Sequence, residues 1–372
     1  MTATPTMLAP TDLREAHEAL ADTRGPVEIR GAATAADWAD PPRPTPTVLD
    51  TTRMTGVLTY NPADMTVSVK AGTPLRDLAA ELATHGQRVA FDAARVQRGA
   101  TVGGLVATAD SGPLSLAYGS LRDLVIGATI VLADGTVART GGHVIKNVAG
   151  YDLAKLAHGS YGVLGLLAEI VLRVHPIPSA TRTVCVEAPL RTAARHAVSV
   201  LSGQSEPVAL EWFDGMLLAR LEGTAEGTEI RARELAAELG GTVLSEDAAD
   251  TVWARHAELV EAASVRIGVR PSKLPDVLDA SDVDVTGAAV GLGTGVATLS
   301  VPDSGIEAVH DAVTAVRGTS VVRRAVPNGV RPWGQTPSAV RVLRALKNEL
   351  DPRGRLCPGR LGSWLDDREA TP

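Results

Sequence analysis

Aromatic residues are scarce: two Phe, four Tyr and five Trp amount to 3% of 372 residues. So few rings leave no series of stacking platforms for exposed bases. A net charge of -7 and a pI near 5.7 supply no basic face, which argues against nucleic acid and anionic membrane surfaces as partners. The two cysteines, Cys185 and Cys357, stand far apart and match no CxxC spacing. Neither a disulfide framework nor a zinc cage is indicated, and both thiols are expected reduced, buried and inert. An iron–sulfur cluster, commonly held by four cysteines, has no ligand set here. No apolar run reaches the length that spans a bilayer, and the N-terminus lacks a basic segment followed by an apolar core. The expectation is a soluble, cytoplasmic protein without membrane insertion.

Familiar catalytic signatures are missing as well. GxxxxGK[ST], GxSxG and HExxH do not occur, and no HxH pair suggests a metal site. His256 and His310 sit singly in helical patterns, where a structural role is expected. GLGTG at 291–295 lacks the third glycine of a dinucleotide fingerprint, since Val296 stands there, and strand-like residues rather than a helix follow.

At 372 residues the chain is too long for one ordinary core and suggests two domains. Helical periodicity over 12–23 precedes the strand PVEIRG, which breaks into small residues. TPLRDLAAELATHGQ reads as a helix with a Thr cap, Pro in its first turn and Gly86 behind it. Asp134-Gly135 between two β-rich runs marks an antiparallel hairpin, and AGYDLAKLAHG a short helix. From Thr181 the order becomes βαββαβ, with strands at 182–187, 207–213, 216–222 and 242–245 and helices at 190–202 and 227–239. A second such series is expected between Ser264 and Ala325, giving two split βαβ units. The helix SAVRVLRALKNEL and the tail DPRGRLCPGRL follow. The domains are placed at 1–178, 179–326 and, for the C-terminal helix and tail, 327–372.

ATVGGLVATADSG at 100–112 is the most unusual stretch. Adjacent Gly103 and Gly104 in a presumed strand mark either a close backbone packing site or a ligand lying against bare main chain. Two further bare loops occur, Gly31-Ala32-Ala33-Thr34 and Gly159-Ser160-Tyr161-Gly162 with Gly165, all three expected at strand ends. Successive free N–H groups in such loops bind pyrophosphate without a lysine, and several spaced loops suit a ligand the size of a dinucleotide.

This order of motifs resembles the FAD-linked oxidases whose flavin domain is of the p-cresol methylhydroxylase and vanillyl-alcohol oxidase type. RGAATA at 30–35 is similar to their RGGGTK loop, ATVGG to [ST]xGG, and GSYGVLGLLAEIVLRVHPIP at 159–178 to GSxGTLGVIxExxLRLxPxP. GGHVIKNVAGYDLAKLAHGS and DPRGRLCPGRL look like the FAD-binding subunits of bacterial glycolate oxidases in particular. The resemblance implies an α+β fold, a two-subdomain FAD-binding domain followed by a ferredoxin-like domain with an antiparallel sheet. It implies noncovalent FAD, with Gly31, Ala32, Ala33 and Thr34 around the pyrophosphate, Thr101, Val102, Gly103, Gly104 and Ala107 beside the cofactor, and Gly165 and Leu167 meeting it through backbone. Arg360 reaches the flavin ring edge in this reading, the alternative being a surface ion pair. Asn147, Tyr151 and Asp152 are read as a scaffold turn.

The implied function is hydride transfer from a small 2-hydroxy acid to the flavin within a complex containing a larger catalytic flavoprotein subunit and an iron–sulfur subunit. A noncatalytic subunit for assembly or electron transfer is the alternative. Arg266, Arg270 and Arg331 are candidates to hold a substrate carboxylate, and no residue presents itself as the base. The sequence departs from the family pattern at Ala32, Ala33, Ala35 and Cys357, where Gly, Gly, Lys and Asn are usual.

Overall fold

The computed structural model describes residues 4–143, 150–280, 285–326 and 329–365. The first domain holds two sheets. Strands Thr6–Leu8, Val27–Arg30 and Thr47–Asp50 form a parallel three-stranded sheet with Thr47–Asp50 in the centre. A five-stranded antiparallel sheet runs in the order Val57–Asn61, Thr66–Lys70, Leu166–Arg173, Val125–Val131, Val137–Gly141. Its last two strands form the hairpin around Asp134 and Gly135, where Gly135 takes φ +92°. Leu166–Arg173 is central and buried on both faces, so it reads as the near-continuous apolar run of the sequence. Between the sheets lies an apolar cluster around Leu49, Met54, Val131 and Leu166, and a second cluster, around Val69, Leu78, Leu105 and Ile170, lies between the five-stranded sheet and helices Leu75–Ala83 and Val102–Ala107.

ATVGG is not a strand. Thr101 caps a six-residue helix, Val102–Ala107, by accepting a hydrogen bond from the Gly104 amide at 3.1 Å. A hydroxyl followed by small residues is a helix start, and that local signal outweighs the β-branched residues around it. The cap expected at Thr73 is also absent. Its hydroxyl donates to the Lys70 carbonyl and accepts from the Gly56 amide, and Pro74 occupies the cap position of helix Leu75–Ala83 without a side-chain bond.

The second domain is one eight-stranded antiparallel sheet built from two βαββαβ units. Within each unit the first strand lies between the third and fourth, as in a split βαβ fold. The units join edge to edge through Ala209–Phe213 and Gly287–Gly291. GLGTG is the hairpin turn following Gly287–Gly291, not a phosphate loop. Helices Leu190–Ser202 and Ala225–Leu239 pack through Ala193, Ala197, Ala232 and Leu235 onto the sheet.

The segment after helix Val340–Leu350 lies against the first domain. Leu356 bridges to Val27 in parallel, and the amides of Val27 and Cys357 donate to the carbonyls of Arg355 and Val27.

Candidate functional site

A groove in the first domain brings together almost every residue singled out as cofactor-binding. Gly31, Ala32, Ala33, Thr34, Thr101, Gly103, Gly104, Ala107, Gly165, Leu167 and Arg360 all line it. Its enclosed volume is about 120 Å³. Val102 is the exception: its side chain turns into the core around Leu105 and Ile170. Only the first of the three bare loops follows a strand. The second is the helix start at Thr101, and the third, after helix Leu153–Ala157, leads into Leu166–Arg173.

The groove fits an extended diphosphate-bearing ligand. No acceptor among the described residues pairs the amides of Gly31, Ala32, Ala33 and Thr34, which all belong to residues lining the groove; successive free amides of this kind can form an anion nest. Ala33 adopts φ +55°, a left-handed conformation that its family glycine tolerates better. The adjacent glycines play different roles. A Cβ on Gly103 would lie 2.9 Å from both the Cβ and the carbonyl oxygen of Ala71, so this glycine serves close backbone packing. A Cβ on Gly104 meets only Thr101 Oγ1, at 3.0 Å, and otherwise faces open space. At Gly165 a Cβ would come within 2.6 Å of Ile130.

Among the described residues Arg360 has no ion-pair partner. It donates to the carbonyls of Trp38 (2.6 Å), Asp40 (3.0 Å) and Ala36 (2.9 Å), stapling the chain that follows the pyrophosphate-type loop. Cys357 is buried with φ +44°, its sulfur accepting from the Ile29 amide, and burial raises its thiol pKa. Cys185 is only half-buried, contrary to expectation. Asp152 caps the short helix through the Lys155 amide and Tyr151 is exposed, whereas Asn147 lies outside the described residues.

A second cavity, about 500 Å³, separates the two domains. The first domain contributes Phe91, Asp92, Asp110 and Ser111; the second contributes Glu211, Arg220, Trp253, His256, Arg266 and Arg323. Among the three carboxylate-binding candidates, Arg266 alone reaches it. Arg331 is engaged by Glu307 and Asp311, and Arg270 is exposed outside the lining. His310 is structural as expected, held between Ser320 Oγ and the Arg331 carbonyl. His256 is different. Its Nε2 is buried without a hydrogen-bond partner, 3.4 Å from Glu211 Oε2. Burial raises the pKa of Glu211, against the pull of His256, and also that of Asp92, which Arg220 and the Leu114 amide oppose.

The wall between the cavities is an ion cluster. Arg95 donates to Asp110 Oδ2, to Thr34 Oγ1 and to Thr108 Oγ1, at 2.8, 2.8 and 2.7 Å. Its guanidinium lies 4.4 Å from the centre of the Trp38 ring, and that of Arg323 lies 4.2 Å from the same ring. The cluster escaped sequence reading because its members come from distant segments and each arginine alone is unremarkable.

Bare backbone loops around a slot, with a split-βαβ domain lining an adjacent cavity, form a site suited to an extended dinucleotide. Residues 8–141 match the family described as FAD binding domain. The chain is 36% identical over 244 residues to glycolate oxidase subunit GlcE of Escherichia coli, covering 65% of this chain and 66% of that protein. It is 32% identical over 190 residues to a D-lactate dehydrogenase of Archaeoglobus fulgidus, covering 51% and 42% respectively. The chain thus spans just under two thirds of the first relative's length and less than half of the second's. A solved structure of alkyldihydroxyacetonephosphate synthase has the same fold, with TM-score 0.70 at 15% identity, covering 95% of this chain and 76% of that one. Residues 8–141 thus carry an FAD-binding domain like those of the FAD-linked oxidases, and FAD is the chain's cofactor. No described helix is long and apolar enough to cross a membrane.

Proposed function

We propose that this chain is an FAD-dependent oxidoreductase of the glycolate-oxidase type, acting on a small 2-hydroxy acid as one subunit of a cytoplasmic complex. The observation that carries the reading is the convergence of three distant loops on one groove beside an interdomain cavity. Gly31, Ala32, Ala33 and Thr34 would hold the pyrophosphate on main-chain amides, with Thr101, Gly103, Gly104, Ala107, Gly165 and Leu167 along the cofactor. Bound FAD supplies the capacity to accept a hydride. The protein's part is to bind, orient and exclude water. Arg360 anchors the loop above the groove, and His256 beside Glu211 offers a ring nitrogen able to take a hydroxyl proton in the cavity. With two cysteines in the chain, onward one-electron transfer calls for an iron–sulfur partner, and the likeness to a glycolate oxidase subunit supports a catalytic flavoprotein partner as well.

Tethering of FAD is not expected, because the loop at 30–35 and ATVGG contain neither Cys nor His. The purified protein should be yellow and release its flavin on acid precipitation. A colourless chain that cannot be reconstituted would refute the cofactor assignment, and flavin remaining in the pellet would refute the noncovalent mode. Tagged protein from its native host should bring down the two partner subunits. Steady turnover of glycolate or lactate by the homogeneous chain at about 1 per second, an ordinary enzyme rate, would remove the need for a partner.

A further inference from the structure

The interdomain cluster is unbalanced in charge. Arg95, Arg266 and Arg323 all act on one carboxylate, Asp110. Arg95 is satisfied by its three acceptors, but the other two are not matched in charge. Arg266 donates to the Ala109 carbonyl at 2.8 Å and stands 3.8 Å from Asp110. Arg323 is 6% exposed, donates to the Val260 carbonyl, and has a buried Nε with no hydrogen-bond partner. The remaining acid near it, Glu261, pairs with Arg98 at 3.3 Å. Burial first, then the neighbouring Arg266 and Arg95, push Arg323 down to about 10 against the opposing pull of Asp110. A buried guanidinium without an anion of its own, as at Arg323, is costly, and with the half-buried Arg266 it lines a cavity of about 500 Å³ whose other wall carries His256, its Nε2 3.4 Å from Glu211.

We infer that the interdomain cavity binds a small carboxylate on Arg266 and Arg323, and that the Arg95–Asp110 pair transmits its occupancy to the FAD groove. Guanidinium forks suit a planar carboxylate. The transmission follows from connectivity: an anion on Arg266 and Arg323 competes with Asp110 for them, Asp110 then holds Arg95 more firmly, and Arg95 orients the Thr34 hydroxyl in the pyrophosphate-type loop. The binding site rests on the oxidoreductase reading for its ligand class but not for its existence.

Calorimetric titration with oxalate tests both parts. The whole chain should bind one equivalent, with affinity reduced at least tenfold in Arg266→Met and in Arg323→Met while flavin content and cooperative melting persist. Arg331→Met should bind as the wild type does. No oxalate binding to wild type, or unchanged affinity in both cavity variants, overturns the site. Oxalate affinity should differ at least fivefold between FAD-loaded and FAD-stripped protein, and FAD affinity should shift by the same factor with oxalate, as linkage requires. In Arg95→Lys, which keeps the charge but cannot bridge Thr34, Thr108 and Asp110 together, the difference should fall below twofold. A difference that survives this substitution means direct contact between ligands and overturns the transmission. If that variant fails to fold, equal FAD affinities of wild type with and without oxalate do so. A chain that binds oxalate yet takes up no FAD would sink the cofactor reading and leave the anion site standing.

Discussion

Arg95 Nε donates to Asp110 Oδ2 at 2.8 Å, and the two side chains are 2% and 3% exposed. Removing one member of such a buried pair leaves an uncompensated charge, at a cost of about 3–5 kcal/mol. Asp110→Ala should therefore lower stability by that order in urea titrations, since three arginines lose their common partner. A loss under about 1 kcal/mol would mean that the cluster is solvated.

The same carboxylate predicts a pH window. Burial alone would raise its pKa, but Arg95, Arg323 and Arg266 together bring it below the ordinary value. A depressed folded pKa adds stability above the unfolded value of about 3.9, and this is lost as pH falls through the folded value. The deficit of Asp110→Asn relative to wild type should be constant from about pH 5 to 8 and shrink below about pH 4. A deficit independent of pH down to acid unfolding contradicts the assignment.

Glu211 carries the opposite sign. Burial raises its pKa, so the folded state resists ionisation and wild-type stability falls as pH rises above the unfolded value of about 4.3. Glu211→Gln should gain relative to wild type as pH climbs from about 4 to 7. Parallel stability curves across that range would show that the group titrates normally.

The two glycines should separate by experiment. Gly103→Ala drives a methyl against Ala71 and should destabilise by about 1–3 kcal/mol, the usual cost of overpacking. Gly104→Leu projects into the groove and should abolish FAD retention while the apoprotein melts close to the wild-type apoprotein. Flavin content and melting curves from the same preparations decide the matter; FAD loss only in step with unfolding would assign Gly104 to packing.

Ala33 at φ +55° carries left-handed strain of roughly 1–2 kcal/mol, partly offset in a glycine variant by the freer unfolded chain. Ala33→Gly should raise the melting temperature slightly and leave FAD affinity equal or improved. A drop in either would indicate that the alanine methyl makes a useful contact.

Much of this protein is written locally. Alternation and turn residues marked the hairpin at Asp134-Gly135, helix Leu190–Ser202 and both βαββαβ series, because side-chain period and turn chemistry act over a few residues. The bare loops were equally legible, since absence of side chains is a property of sequence. Local reading failed at Thr101, where a hydroxyl cap turned an apparent strand into a helix start, and at Arg360, whose acceptors are carbonyls more than three hundred residues away along the chain. Tertiary structure alone decided that Gly103 packs while Gly104 faces the groove, that Arg266 reaches the interdomain cavity while Arg331 does not, and that Arg95, Asp110, Arg266 and Arg323 share one buried cluster. Charge balance is a sum over neighbours in space, and no run of residues along the chain contains that sum.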